Sequence, residues 1–263
     1  MSQPTSVSKR WYQENKRDPW RRDAKSKGYR ARSAYKLKQI QERFSILRSG
    51  DAVLDIGCYP GGWTQVAVEE VGEGGLVIGV DLVVTSSVEG AEVMIGDITE
   101  SETIERVSQL LGERRLNAVI SDISPKLTGR YDTDQTISLE LSTIALDVAS
   151  DMLAPGGCFV TKVFQGSGVE GLVDASKLRF STVGRFSPTA SRSASSETYL
   201  ICKNKLPRTR GSSTTVSALE QVRAHLAQIG LVVEEEDEDA PEASKVGFRK
   251  LTKRDDRHSE RET

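Results

Sequence analysis

The sequence is poor in cysteine and histidine. Its 263 residues include three cysteines and two histidines. The cysteines, Cys58, Cys158 and Cys202, are odd in number, far apart and without CxxC spacing, which argues against both a disulfide framework and a zinc site. We expect buried, reduced thiols and no bound metal. The histidines, His225 and His258, lie outside every motif.

The chain also lacks long apolar segments. No run approaches the roughly 18 to 20 apolar residues that a membrane-spanning helix needs. The amino terminus runs directly into charged residues, without the apolar core of a secretory signal. Since 37% of the residues are hydrophobic and 28% are charged, the chain can bury a core. These features predict a cytoplasmic protein that does not contact membranes.

The near-neutral net charge of −2 hides a strong asymmetry along the chain. Residues 1–43, the leader, carry 13 basic and four acidic residues, whereas residues 44–206, the body, carry 13 basic and 22 acidic residues. Residues 207–263, the C-terminal extension, are predicted to form a linker, an amphipathic helix over 216–229 and an acidic, partly disordered tail. A basic leader on an acidic body is typical of a protein that meets a polyanion with one end.

Apolar runs alternate with helical patterns through the body. Nearly continuous β-branched runs predict five parallel strands, at residues 52–56, 76–80, 91–95, 118–121 and 158–163. Helical spacing is found between them, at residues 62–71, 101–111 and 134–153. The segments 181–186 and 198–202 predict an antiparallel hairpin at the sheet edge. The pattern predicts an α/β fold with a doubly wound, mostly parallel seven-stranded sheet, a basic N-terminal helix and the extension.

A glycine-rich turn, GCYPGGW at residues 57–63, follows the first predicted strand and opens a helix. Glycines at such a turn let the backbone approach a ligand bound beyond the carboxyl ends of the strands. The GxxxGG spacing, with a proline inside, fits the GxGxxG turn of dinucleotide dehydrogenases poorly, and no GK[ST] indicates a P-loop.

Three aspartates follow successive predicted strands: Asp81 the second, Asp97 the third and Asp122 the fourth. A carboxylate at the position of Asp81 commonly accepts hydrogen bonds from ribose hydroxyls, and Asp97 is placed to accept from an adenine amino group. Three carboxylates around one crevice suit a cationic nucleoside such as S-adenosylmethionine better than NAD. The alternative, that each aspartate only caps the next helix, is open for any one of them.

Several segments resemble the signature blocks of the FtsJ/RlmE-type (RrmJ-like) ribosomal RNA 2′-O-ribose methyltransferases. They are GCYPGGW (57–63), SDISP (121–125), VTKVFQG (160–166) and SRSASSETY (191–199), and GYRARSAYKL (28–37) matches the basic N-terminal helix of that family. The resemblance spans residues 25–203. It implies a Rossmann-like methyltransferase sheet, S-adenosylmethionine as cofactor, and a catalytic set that falls on Lys36, Asp122, Lys162 and Glu197. The candidate cofactor-binding residues are then Gly61, Trp63, Asp81, Asp97 and Asp122.

Lys162 is the candidate general base. Methyl transfer to a ribose 2′-hydroxyl requires the oxygen to be oriented and its proton to be removed. A lysine can do this only if its pKa falls from about 10.4, through burial or a neighbouring positive charge. Lys162 lies within an apolar strand, an unusual place for a charge; the alternative is a strand-end lysine that reaches solvent. Asp122 is expected to orient Lys162, while Lys36 and Glu197 position the ribose and tune the charge.

The leader is the candidate RNA-binding element. Its basic side chains are expected to contact phosphates, and the set comprises Arg21, Arg22, Lys25, Lys27, Arg30 and Arg32. Trp20 and Tyr29 are candidates for stacking on bases. The alternative is a solvated charged tail.

The leading hypothesis is S-adenosylmethionine-dependent methylation of a uridine ribose 2′-hydroxyl in 23S ribosomal RNA, with ribosomal RNA or the large ribosomal subunit as partner. A tRNA ribose 2′-O-methyltransferase, a methyltransferase of mRNA caps and a non-catalytic RNA-binding assembly factor remain alternatives. An NAD-dependent oxidoreductase is a further one, and it predicts no affinity for S-adenosylhomocysteine.

Overall fold

The computed structural model describes residues 18–125, 127–192, 195–210, 216–233 and 251–253. The described helices are α1 Pro19–Ser26, α2 Ala34–Phe44, α3 Gly62–Val71, α4 Ser101–Leu111, α5 Tyr131–Met152, α6 Val169–Arg179 and α7 Ala218–Gln228. The described strands are β1 Ala52–Ile56, β2 Leu76–Asp81, β3 Ala91–Ile95, β4 Leu116–Ser121, β5 Leu153–Phe164, β6 Phe180–Phe186, β7 Glu197–Lys205, β8 Leu231–Val233 and β9 Leu251–Lys253.

The first seven strands form one sheet in the order β3-β2-β1-β4-β5-β7-β6. β1 to β5 are parallel, and β7 lies antiparallel between β5 and the edge strand β6. This confirms the predicted doubly wound, mostly parallel sheet with its antiparallel hairpin. Because the strand order reverses beside β1, a crevice is expected beyond the carboxyl ends of β1 and β4.

Helices cover both faces of the sheet, which explains why its central strands are apolar without alternation. On one face, α2 and α3 pack on the sheet through a cluster that includes Leu37 and Val66. On the other face, α4 to α7 form a second cluster that includes Val107, Leu146 and Leu172. All five residues of β1 are buried.

Three helices differ from the sequence-based expectation. α5 begins at Tyr131, three residues before the predicted start, and ends at Met152, because Leu153 already has an extended backbone. α6 was not among the predicted helices. α1 lies in a part of the leader with no apolar period; Asp18 caps it by accepting from the Arg21 amide at 3.2 Å, and a proline occupies its first turn, both common at helix starts.

The helix of the C-terminal extension packs on the body. Ser217 and Glu220 form a capping box at the start of α7, and Val222 and Leu226 are buried in the cluster shared with α5 and α6. The guanidinium of Arg179, at the end of α6, is buried and donates to the Val216 carbonyl at 2.8 Å. Hydrogen bonds and apolar contacts therefore join the extension to the body.

Other expectations for the termini fall on residues that are not described. The acidic block at 234–239 and the first 17 residues of the leader lie outside the described ranges, and the three-part domain division stays a prediction. Among the described helices, none is long and apolar enough to span a membrane. All three cysteines are free; Cys58 and Cys202 are buried and Cys158 is partly exposed.

Candidate active site

Two buried ion pairs unite the four side chains that the sequence assigns to catalysis. Lys36 Nζ lies 2.6 Å from Glu197 Oε1, and Lys162 Nζ lies 3.2 Å from Asp122 Oδ1. Lys162 also donates to the backbone carbonyl of Asp122 at 2.7 Å. The four side chains are between 6% and 17% exposed. Lys162 is thus held inside the protein and does not extend into solvent.

Strand register places three of the site's side chains on one face of the sheet. Lys162 in β5 lies directly opposite Tyr199 in β7, in an antiparallel pair. Directly opposed residues share a face, as do residues two apart in one strand. Lys162, Tyr199 and Glu197 therefore point to the same side. Lys36 reaches them from α2, and Asp122 from the end of β4.

Tyr199 connects the two ion pairs. Its hydroxyl donates to Asp122 Oδ1 at 2.7 Å, and Lys36 Nζ lies 5.9 Å from the centre of its ring. The ring also stacks on the indole of Trp63, with centroids 5.6 Å apart. Sequence reasoning gave Tyr199 no role, although its two-residue spacing from Glu197 in a strand indicates a shared face.

The charges of the site hold its carboxyl groups in the ionised form. Burial raises the pKa of Asp122, but the charges of Lys162 and Lys36 outweigh burial, and the pKa lies below its usual value. Burial likewise raises the pKa of Glu197, but the charge and hydrogen bond of Lys36 outweigh it and lower this pKa too. Burial, followed by the charge of Asp122, raises the pKa of Tyr199 well above its usual value, so Tyr199 stays a neutral donor.

The glycine-rich turn brings its backbone against neighbouring loops. Gly57 has φ 76°, and a Cβ there would lie 2.8 Å from Cβ of Ile123, the residue after Asp122. Gly61 has φ 107° and a Cβ there would meet the leader. Side chains larger than glycine would push these segments apart. Trp63, predicted to bind the cofactor, is 2% exposed, and its indole N–H donates to the Ser33 carbonyl at 2.9 Å.

Asp81 and Asp97 lie at the carboxyl ends of β2 and β3, as predicted, and each accepts two hydrogen bonds within the protein. The Asp81 carboxylate accepts from the amides of Tyr59 and Val83 at 2.9 and 2.8 Å. Asp97 accepts from the amide and hydroxyl of Thr99 at 2.9 and 2.7 Å. These bonds fix the orientation of both carboxylates.

A fourth carboxyl group, Asp55 at the end of β1, was not predicted. It is fully buried, and Thr64 donates to its Oδ2 at 2.7 Å, while its Oδ1 has no hydrogen-bond partner. Burial, and to a lesser extent the charges of Asp122 and Asp81, raise the pKa of Asp55 to about 7. Four carboxyl groups thus lie at the carboxyl ends of four adjacent strands, β3, β2, β1 and β4. Within the described residues, no group of three His, Cys, Asp or Glu side chains is arranged to hold a metal ion.

The leader contributes both exposed and internally bonded cations. Arg21, Arg22 and Lys25 are exposed on α1. By contrast, Arg32 is bonded to the carboxylate of Asp18 and to the Ala190 carbonyl. The exposed cations of α1 are therefore better placed than Arg32 to make the phosphate contacts predicted for the leader.

The two aromatic residues expected to stack on RNA bases also have partners inside the protein. Trp20 packs on the ring of Tyr35, with centroids 5.1 Å apart, and Tyr29 packs on the same ring. The Tyr29 hydroxyl donates to Glu69 at 2.7 Å. Both residues hold α1 and α2 in place.

The sequence is similar to those of known methyltransferases. A family model described as FtsJ-like methyltransferase matches residues 29–205. A ribosomal RNA large subunit methyltransferase E from Halorubrum lacusprofundi is 44% identical over 209 residues, which cover 78% of each chain. The protein of the same name from Alkalilimnicola ehrlichii is 40% identical over 196 residues, covering 74% of this chain and 94% of that one.

A solved structure shares the fold as well. A crystal structure assigned to a ribosomal RNA methyltransferase of Plasmodium falciparum aligns with a TM-score of 0.61 and 27% identity, covering 68% of this chain and 100% of that one. The family match spans the whole seven-stranded sheet together with α2, which carries Lys36. By sequence and by fold, the chain belongs to the FtsJ-like methyltransferase family.

Proposed function

We propose that this protein transfers a methyl group from S-adenosylmethionine to the 2′-hydroxyl of a uridine ribose in 23S ribosomal RNA. Two proteins that it resembles at 40% and 44% identity are named ribosomal RNA large subunit methyltransferase E. The observation that carries the proposal is the buried constellation of Lys36, Asp122, Lys162 and Glu197, drawn from four separate elements.

In this proposal, Lys162 accepts the proton of the ribose hydroxyl at Nζ. The Asp122 side chain and backbone carbonyl, at 3.2 and 2.7 Å from Nζ, fix where that nitrogen points. Nζ can accept this proton only as a neutral amine, so the ammonium that pairs with Asp122 must first release a proton to solvent, and the fixed geometry then keeps the free amine in place. Lys36 and Glu197 form the second pair beside it and position the ribose. The Tyr199 hydroxyl bonds to Asp122 and its ring faces the Lys36 ammonium. Tyr199 therefore fixes the position of one ion pair relative to the other.

The residues around the crevice fit S-adenosylmethionine. When bound, this cofactor supplies a methyl group activated by a sulfonium, which leaves without help from an acid. Asp81 is oriented to accept from the ribose hydroxyls of the cofactor, and Asp97 is assigned to its adenine amino group. Asp122 is assigned to the part of the cofactor that carries the sulfonium. Gly61 lets the backbone approach, and the buried Trp63 anchors the start of α3, which follows that turn, to the Ser33 carbonyl. A crevice ringed by carboxyl groups favours a cation and disfavours the pyrophosphate of NAD.

The exposed face of α1 is the proposed RNA contact. Arg21, Arg22 and Lys25 would neutralise phosphates, which gives affinity with little sequence information. Because α2 follows α1 and delivers Lys36 to the site, RNA held there would lie beside the reacting groups. We retain ribosomal RNA or the large ribosomal subunit as the partner, and a cytoplasmic location remains a prediction.

The experiment is methyl transfer from tritiated S-adenosylmethionine by the full chain, its Lys162→Ala variant and a matched control, Lys177→Ala. Lys177 is exposed on α6 and pairs only locally, with Asp174 at 2.8 Å. We expect Lys162→Ala to lose at least about 100-fold in rate, in the range of general base catalysis, and to bind S-adenosylhomocysteine like the unmodified protein. Lys177→Ala should retain the full rate.

The RNA substrate is tested in three parallel arms: 23S ribosomal RNA, large subunits and tRNA, all from cells that lack this protein. Methylation of ribosomal RNA at a uridine 2′-oxygen, located by mass spectrometry, supports the proposal. Methylation of tRNA alone would replace the substrate, and undiminished transfer by Lys162→Ala would remove Lys162 as the base. Binding of S-adenosylhomocysteine with no transfer to any RNA would favour a non-catalytic assembly factor.

A further inference from the structure

Arg30, a leader residue expected to bind RNA phosphate, is bonded to two loops of the body instead. Its guanidinium donates to the backbone carbonyl of Pro60 at 3.3 Å, to that of Ser86 at 2.6 Å and to that of Ser87. Pro60 lies in the glycine-rich turn between β1 and α3, and the two serines lie between β2 and β3. One side chain therefore connects two loops that are far apart in the sequence.

These two loops also carry the proposed cofactor contacts. Gly61 follows Pro60, and Asp81 precedes the segment that contains Ser86. A Cβ at Gly61 would lie 2.9 Å from Nη1 of Arg30, so the guanidinium packs directly on the backbone of the turn. The Tyr59 amide forms a second link between the loops by donating to Asp81 at 2.9 Å. A weaker contact, from the Cys58 thiol to the Thr85 hydroxyl at 3.8 Å, also joins the loops, and the Arg30 guanidinium is the link that reaches both of them from the leader.

The backbone of Arg30 is itself fixed to the helix that the glycine-rich turn opens. Gln65, in the first turns of α3, accepts from the Arg30 amide at 2.9 Å and donates to the Gly28 carbonyl at 3.0 Å. Arg30 is thus held at both ends, because its main chain is bonded to α3 and its guanidinium is bonded to the two loops. A fixed, planar donor group suits the bridging of several carbonyl oxygens.

We propose that Arg30 is a positioning residue for the cofactor: by bridging the glycine-rich turn and the loop after Asp81, it holds both in the arrangement that binds S-adenosylmethionine. This rests on the proposed function, in which these loops bind that cofactor. Arg30 acts through the backbone of the loops and touches neither the methyl group nor the ribose oxygen. Its contribution appears in cofactor affinity, measured without any RNA.

The test is calorimetric titration of the full chain with S-adenosylhomocysteine in the absence of RNA, for the unmodified protein, Arg30→Ala and Arg30→Lys. The matched control is Arg114→Ala, which removes another exposed arginine that donates to a loop carbonyl, that of Gly74 at 3.3 Å, near the amino end of β2 and so at the other end of that strand from Asp81. We expect Arg30→Ala to raise the dissociation constant about tenfold or more, as for a lost charge-assisted hydrogen bond. Arg30→Lys should recover part of the affinity, and Arg114→Ala should not change it.

Two further readouts distinguish positioning from a general loss of structure. Arg30→Ala should bind at unchanged stoichiometry and, in methyl transfer, should raise KM for S-adenosylmethionine while kcat at saturation is retained. A purely structural role would reduce the fraction of competent sites and leave the affinity of the remainder intact, which would overturn the inference. Unchanged S-adenosylhomocysteine affinity with weaker RNA binding would overturn it too, and would make Arg30 a phosphate ligand. If the unmodified protein does not bind S-adenosylhomocysteine at all, the proposed function itself fails.

Discussion

The buried carboxyl group of Asp55 predicts a pH-dependent cost in stability that Asp55→Asn removes. In the folded protein, burial raises the pKa of Asp55 from 3.8 to about 7. Between these values the folded state binds more protons than the unfolded state, so stability falls as pH rises. Asparagine is neutral at every pH in this range and can still accept the hydrogen bond that Thr64 donates at 2.7 Å.

The size of the effect follows from the two pKa values. Each unit of pKa difference corresponds to about 1.36 kcal/mol. Between pH 5 and pH 7, Asp55 should lower the free energy of unfolding by about 2 kcal/mol relative to the asparagine variant. The value is smaller than two full pKa units would give, because the carboxyl group of the folded protein is itself partly ionised near its pKa of about 7. The absolute difference at pH 5 also contains the change in hydrogen bonding, so the prediction concerns its change with pH.

The assay is urea unfolding of both proteins at pH 5 and pH 7 in one buffer system, with Glu105→Gln as the control. Glu105 is an exposed carboxylate on α4 that faces water in the folded and unfolded states. The stability of Asp55→Asn relative to the unmodified chain should increase by about 2 kcal/mol at the higher pH, whereas Glu105→Gln should show little change. An equal difference at both pH values for Asp55→Asn would refute the reasoning, since it would mean that the carboxyl group is ionised throughout.

Two further predictions concern the extension and the leader. Arg179→Met leaves the Gln221 side chain and the Val216 carbonyl without their buried donor. We expect the free energy of unfolding to fall by about 2 to 4 kcal/mol and proteolysis of the segment before α7 to become faster. Unchanged stability would show that α7 is only loosely attached. Arg21→Ala should reduce the slope of log affinity for RNA against log salt by about one, with no change in S-adenosylhomocysteine affinity; an unchanged slope would place the RNA elsewhere.

The sequence predicts the sheet well because its signal is local. Buried parallel strands need continuous apolar residues, and each of the five predicted runs is a strand of the sheet in the structure. The first helix escaped prediction because α1 has only one buried residue, Ala24, and so has no apolar period. Its signal was the Asp18-Pro19 pair, an N-cap followed by a first-turn proline.

The sequence predicts the four members of the candidate site and the role of Asp122 beside Lys162, but not the ion pair between Lys36 and Glu197. Lys36 lies in α2 and Glu197 in β7, so their contact depends on how that helix packs on the sheet. The structure pairs Lys36 with Glu197 and Lys162 with Asp122. The role of Tyr199 was missed for the same reason, since its contact with Asp122 spans 77 residues of sequence.

Charge composition overestimated the number of leader cations that are available to RNA. The partners of Arg30 and Arg32 include the backbone carbonyls of Ser86, Ser87 and Ala190. Every residue carries a carbonyl, so a bond to one leaves no trace in composition or in motif. A count of basic residues therefore gives an upper limit for phosphate contacts, and only the fold identifies the free ones.

The division into a basic leader and an acidic body does not separate binding from chemistry. Lys36 of the leader and Glu197 of the body are each about one-tenth exposed and lie 2.6 Å apart. Removing one member of such a pair leaves a buried charge without its partner, at a cost of about 3 to 5 kcal/mol. The two segments therefore stabilise each other through a pair that the proposed reaction also uses. RNA held on the exposed side of α1 would be held at a fixed position relative to α2 and Lys36, because the ring contact of Trp20 in α1 with Tyr35 in α2 joins the two helices.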